Sequence, residues 1–201
     1  MSGPARHAST AAAPRADNRL PLILDAAARF FAEKGYGYTS MRDIAGAAGM
    51  LPGSLYYHFA SKEELLVAVY AEGVRRIKAA LAPALAPDGD PWRRLENVCT
   101  AHLTGLLEDS DYGQVVIRVR PDDAPEVSER LVALRDDYEQ TFAQAIQALP
   151  LPQRTDRRAL RLMLLGALNW SQTWYRSGRD SPAVLARRFV RLLRDPLEPQ
   201  A

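Results

Sequence analysis

Apolar residues recur at three- and four-residue intervals along almost the whole chain, and no stretch alternates long enough to read as a strand. The pattern predicts an all-α protein of about nine helices. A first helix runs from Arg19 or Leu20 to Lys34, with Pro21 in its first turn and Ile23, Ala27, Phe30 and Phe31 on one face. Gly35 and Gly37 end it. A second starts after Ser40, with Asp43 three residues on as capping partner, carries Met41, Ile44 and Ala48 on one face, and ends at Gly49. Pro52 opens a third, through Leu55 to Phe59. Ser61 and Glu64 form a capping box for a long fourth helix through Leu65, Val69, Val74 and Ile77 toward Leu81.

A breaker cluster follows at Pro83, Pro87, Asp88, Gly89, Asp90 and Pro91. Beyond it the periodicity predicts helices at 91–109, 112–119, 124–148, 155–177 and 182–194. Gln114 to Val119 comes nearest to alternation and is still read as a short helix. The helix in the 160s is apolar nearly all round (Leu160, Leu162, Met163, Leu164, Leu165, Leu168, Trp170, Trp174), more than one buried stripe uses. The last helix shows Leu185, Phe189, Leu192 and Leu193. There is no internal repeat.

Two short helices joined by a tight turn at Gly49 have the dimensions of a helix-turn-helix. A second helix of that size fits the DNA major groove, with its first side chains at base edges and flanking polar groups on phosphates. Here it reads Pro52, Gly53, Ser54, Leu55, Tyr56, Tyr57, His58, Phe59: small residues first, then polar aromatics, with Leu55 and Phe59 turned inward.

The run Tyr38-Thr39-Ser40-Met41-Arg42-Asp43-Ile44-Ala45 through Gly49, then Gly53 to Leu65, strongly resembles the DNA-binding domain of TetR-family transcriptional regulators, and Phe30 to Tyr36 fits that family's first helix. The resemblance covers residues 18–77 and implies a DNA-binding domain at 18–77 and a ligand-binding and dimerisation domain at 78–201, while residues 1–17, rich in Ala, Ser and Pro without the apolar core of a secretory signal, read as a mobile arm. It makes Arg42, Pro52 and Gly53 candidates for base contact, Ser54 and Tyr56 for base or phosphate, and Ser40, Tyr57, His58 and Lys62 for the DNA backbone. Leu51 departs from the polar residues often found at its place and is left between a thymine-methyl contact and packing. Arg6 and Arg15 have two readings, a minor-groove arm and a tail without contact.

The resemblance also implies a homodimer through the last two helices and a small-molecule effector that releases the protein from a palindromic operator. His102, Tyr112, Arg118, Asn169, Trp170 and Trp174 are the candidate pocket residues. Leu165 to Trp170 and on to Arg176 is similar to regulators that sense acyl-CoA intermediates of lipid or steroid breakdown.

Net charge of +2 carries no claim of DNA binding on its own, but its distribution helps. Residues 1–62 hold seven basic against four acidic side chains, the remainder nineteen against twenty. The longest uncharged run of note, Leu162 to Tyr175, has 14 residues, short of the roughly 20 that span a bilayer. The expectation is a cytoplasmic protein without membrane contact, metal or cofactor. Two rival readings stand beside the regulator: an architectural or division-control DNA-binding protein without an inducer, and a small helical enzyme using Cys99 and His102. The chain contains no HExxH, GxxxxGK[ST], GxSxG or paired CxxC to support catalysis.

Overall fold

A computed structural model describes residues 19–85, 89–107 and 110–197. The arm at 1–17, with Arg6 and Arg15, lies outside the described residues. Among those described there are nine α-helices: α1 Arg19–Lys34, α2 Met41–Ala47, α3 Pro52–His58, α4 Lys62–Leu81, α5 Pro91–Leu107, α6 Asp111–Arg118, α7 Ser128–Gln147, α8 Arg157–Trp174 and α9 Pro182–Leu197.

Side chains at the helix starts explain several of these boundaries. Ser40 and Asp43 form a complete capping box at α2: the Ser40 hydroxyl accepts from the Asp43 amide, and the Asp43 carboxylate accepts from the Ser40 amide. At α4 half of the expected box forms. Ser61 accepts from the Glu64 amide at 3.2 Å, while the Glu64 carboxylate pairs at 2.6 Å with Arg130 of α7. Helix α7 begins at Ser128, not at 124, because Pro121 and Pro125 each open a 3-10 turn and Ala124 between them is non-helical at φ −143°. Asp156 caps α8 through the Ala159 amide, so that helix starts at 157. It ends at Trp174 because Tyr175 turns extended, at ψ 140°. Helix α9 continues past 194 to Leu197, with Pro196 in its last turn.

Helix α4 is the common beam. It packs on α1 at one end and on α5, α6 and α7 along its length, and one continuous core runs from Ile23 to Val190. The short α6 is wedged between α1, α4 and α5 at distances only glycine permits. A Cβ at Gly73 of α4 would stand 2.7 Å from Val116 Cγ2 and 3.0 Å from the Tyr112 carbonyl oxygen. A Cβ at Gly113 of α6 would stand 2.3 Å from the Gly105 carbonyl oxygen of α5. The buried Tyr70 hydroxyl donates to the Val116 carbonyl at 3.0 Å, adding a polar tie between α4 and α6.

Helix α8 buries Leu160, Leu164, Leu165, Leu168 and Ser171 and leaves Leu162, Met163, Trp170 and Trp174 exposed within the protomer.

Gly113→Ala is expected to lower unfolding stability by roughly 1–3 kcal/mol, because a backbone oxygen cannot yield as a side chain would. Gly105→Ala, whose Cβ meets nothing within 4 Å, is expected to stabilise α5 by up to about 1 kcal/mol. Chemical denaturation of the two variants beside wild type checks both.

Candidate nucleic-acid interface and effector region

Helices α2 and α3 are joined through Gly49 at φ +67°, a left-handed conformation that favours glycine. The Met50 amide donates to the Ala45 carbonyl at 2.9 Å, closing the turn. Met41, Ile44, Ala45 and Leu55 point into the core, which fixes the opposite faces outward. Arg42, Pro52, Gly53, Ser54, Tyr56 and Tyr57 are exposed, Tyr57 at 87%, and His58 is half-buried with its ring edge-on to Tyr57. Phe59 is half-buried against the core rather than fully inside it. No neighbouring atom lies within 4 Å of a Cβ built on Gly53, so this glycine leaves open space on the outer face of α3.

Two residues expected at the DNA backbone are occupied with other work. The Ser40 hydroxyl donates to the Asp43 carboxylate at 2.6 Å, so reaching a phosphate would cost the cap its proton. This bond also holds the exposed Asp43 carboxyl below its usual range. The Lys62 ammonium donates to the Tyr36 carbonyl at 3.0 Å and the Thr39 carbonyl at 3.1 Å, and sits 4.3 Å from the centre of the Tyr36 ring. Next to it, the Tyr36 hydroxyl donates to Glu63 Oε1 at 2.7 Å and pulls that carboxyl below the usual glutamate range. Lys62 and Glu63 thus clamp the α1–α2 turn onto the start of α4.

Tyr38 and Leu51 join the outward face, 88% and 76% exposed, beside the expected contact residues. Tyr38 was missed. Tyr36 and Thr39, three apart, turn inward and leave Gly37 and Tyr38 on the outside of the turn.

The six expected pocket residues do not converge. His102 is buried, its Nδ1 bonded to the Tyr138 hydroxyl and its ring edge-on to Phe142. Burial pushes its pKa down to about 4, and neighbouring Asn169 opposes the shift without reversing it. His102 Nε2 and Asn169 Oδ1 nevertheless lack a hydrogen bond of good geometry. Tyr112 donates to Asp25 of α1 at 2.8 Å under the Arg76 guanidinium, 3.9 Å from its ring centre. Arg118 is exposed, its Nε donating to Gln172 at 3.1 Å. Trp170 is 67% exposed, and Trp174 lies edge-on to Phe189 of α9. Only His102 and Asn169 come together. Cys99 is buried as well, and its thiol is pushed far up by desolvation, the reverse of what a nucleophile beside His102 needs. Trp174 lines a hollow of about 480 Å³ between α8 and α9 and Arg118 one of about 460 Å³ beside α1, and a further hollow of about 570 Å³ lies between α4 and α5.

Two family models match the chain: "Bacterial regulatory proteins, tetR family" over residues 23–69, and "Tetracyclin repressor-like, C-terminal domain" over residues 88–197. The chain belongs to the TetR family. Among its TetR-family relatives, the transcriptional repressor KstR2 of Mycobacterium tuberculosis is 35% identical over 105 residues, a stretch covering 52% of each protein. The chain thus spans about half the length of that relative. A TetR-family regulator structure from Bordetella parapertussis 12822 superposes with a TM-score of 0.71 at 29% identity, over 90% of this chain and 96% of that one. The structure of AibR in complex with isovaleryl coenzyme A and operator DNA reaches a TM-score of 0.74 at 24% identity, over 87% and 97%, a likeness of fold alone. No helix among the described residues is long and apolar enough to cross a membrane.

Lys62→Met is expected to lower stability by roughly 1–3 kcal/mol while changing the salt slope of DNA binding by less than one unit, read by thermal melting and by titration at several salt concentrations. Glu63's contribution, set by its lowered folded pKa, is fully present above the ordinary value of 4.5 and is lost as pH falls through the folded value. The stability gap between wild type and Tyr36→Phe is therefore expected to hold from neutral pH to about pH 5 and close below it, as denaturation at stepped pH will measure.

Proposed function

We propose that this protein is an effector-responsive DNA-binding repressor that grips a palindromic operator as a homodimer. The observation that carries the reading is the outward face of α2 and α3, where Arg42, Pro52, Gly53, Ser54, Tyr56 and Tyr57 stand exposed on a helix-turn-helix within a TetR-family chain. Residues 18–77 form the DNA-binding unit, and 78–201 the effector and dimerisation unit. Arg42 and the Pro52-Gly53 pair read bases. Ser54 and Tyr56 touch a base or phosphate, and Tyr57 and His58 hold the backbone. The protein works in the cytoplasm and is not an enzyme.

A second copy covers the apolar face of α8 and α9. Leu162, Met163, Trp170, Trp174 and Leu192, the last 70% exposed, form a larger apolar surface than isolated exposed side chains account for. The effector is a small apolar or amphipathic molecule, and AibR, which binds isovaleryl coenzyme A, supports the choice of an acyl-CoA or related catabolite. Release requires the effector to favour the dimer geometry that does not fit the operator. The contact of α6 with α1 gives such a change a direct path to the DNA-binding unit.

Genomic footprinting with purified protein at controlled salt tests the reading: a short palindrome supports it, and binding without sequence preference points to an architectural protein. Gly53→Ala is expected to keep wild-type stability, since its Cβ meets only open space, and to lose at least about tenfold in operator affinity where the groove floor approaches. Arg42→Ala is expected to cost roughly 1–3 kcal/mol and to relax preference at one operator position, read by competition with base-substituted operators.

A further inference from the structure

The cavity between α4 and α5 holds about 570 Å³, within the usual size of small-molecule sites. Ile77, Ala80 and Ala101 give it an apolar floor, and Thr100 and Thr104 a polar rim. A second hollow of about 270 Å³ lies between α5 and α9, lined by Arg93, Glu96, Ala183 and Arg187. Asn97 and Thr100 line both hollows. Arg93, Asn97, Thr100 and Thr104 fall at helical spacing on one stripe of α5, so the two form a trough about 17 Å long.

The ends of the trough differ in charge. Neither Arg93 nor Arg187 has an ion-pair partner among the described residues, and Glu96 is the one carboxylate lining their hollow. At the far end stands Arg76, held by Glu72 at 2.7 Å and, more loosely, by Asp25 of α1 at 3.5 Å. An apolar floor ending at two guanidinium groups against one carboxylate suits a molecule with an apolar body and an anionic head.

We propose that this trough is the effector site and takes an amphipathic anion, with its apolar part between α4 and α5 and its phosphate or carboxylate between Arg93 and Arg187. The inference rests on the effector-responsive reading above and gives it a place and a ligand chemistry. The trough lies apart from the His102–Asn169 pair, where His102 packs against Tyr138 and Phe142. A bound molecule lies beside Arg76, whose guanidinium ties α4 to Asp25 and Tyr112, so occupancy acts on the joint between α4, α6 and α1.

The full chain is titrated with anilinonaphthalene sulfonate, an apolar anion, as wild type and as three variants. Arg93→Ser with Arg187→Ser removes the anion end at exposed positions. Gly105→Leu fills the trough where a Cβ meets nothing within 4 Å and replaces a helix-interior glycine. Arg154→Ser removes an exposed charge in the turn between α7 and α8, which lines neither hollow. Affinity is expected to fall about tenfold in each of the first two and to stay at the wild-type value in the third. Wild-type affinity in both trough variants, or loss in Arg154→Ser alone, overturns the proposal. Unchanged affinity in the double arginine variant alone overturns the anion end. Titration with octanoate and with octanoyl coenzyme A separates the sources of the head: tighter binding of one, lost in the same variants, supports the site and names a carboxylate or a phosphate. Gel shifts on the same preparations keep the two readings apart. Probe bound in the trough with no DNA retained overturns the regulator and supports the site, whereas DNA retained with the trough variants indistinguishable from wild type overturns the site alone.

Discussion

The clamp at the start of α4 is the constraint on which the DNA-facing surface depends. Lys62 holds the carbonyls of Tyr36 and Thr39, and Glu63 holds the Tyr36 hydroxyl, so three hydrogen bonds fasten the turn between α1 and α2 to the first residues of α4. Within the turn the Tyr36 carbonyl accepts from the Thr39 amide at 3.3 Å, and the charged Lys62 donor adds a stronger bond. Thr39 completes the fastening, its hydroxyl within hydrogen-bond distance of the Gly35 carbonyl at 2.9 Å. With the turn fixed, Ser40 can cap α2, Gly49 can redirect the chain, and Leu55 can seat α3.

Because the clamp belongs to α4, whatever moves α4 moves the reading surface. Helix α6 is in position to do so. Gly73 and Gly113 let it approach α4 and α5 closely enough that a shift of one is felt by the others. Polar contacts run the same way: Glu72, pushed down to about 2 by Arg75 and then Arg76, anchors Arg76, which covers Tyr112 and approaches Asp25. These pairs are half-exposed, so their value is in orientation more than in stability.

Helix starts marked by Ser40 and Ser61 were legible in the sequence because the cap is a local bond between residues three apart. The outward face of α3 was legible for a similar reason, since Leu55 alone sets which side faces the core. The start of α7 was not, because the periodicity of its apolar residues continues through Pro125 although the backbone does not. The effector region was legible least of all. A polar residue on a helix reads the same whether it meets another polar residue or a cavity, and the crossing of α4, α5 and α9 decides which. His102 was a candidate pocket residue and is a core residue bonded through Nδ1 to Tyr138, while Asn97, Thr100 and Thr104, not named from the sequence, line the hollow between α4 and α5. Lys62 shows the same ambiguity at the DNA face, where a basic side chain fits both phosphate and carbonyl oxygen.

Helix α3 is only seven residues long, buries Leu55 alone, and begins at Leu51 with no side-chain bond to its first amides. So short a helix does not persist by itself, and its order comes from one seated leucine and the turn before it. Its local opening free energy therefore lies at the low end of the molecule, far below that of α4. The surface proposed to meet DNA is thus the easiest part to reshape: it can adjust to the width of a groove without disturbing the core, and a bound duplex would supply part of its rigidity.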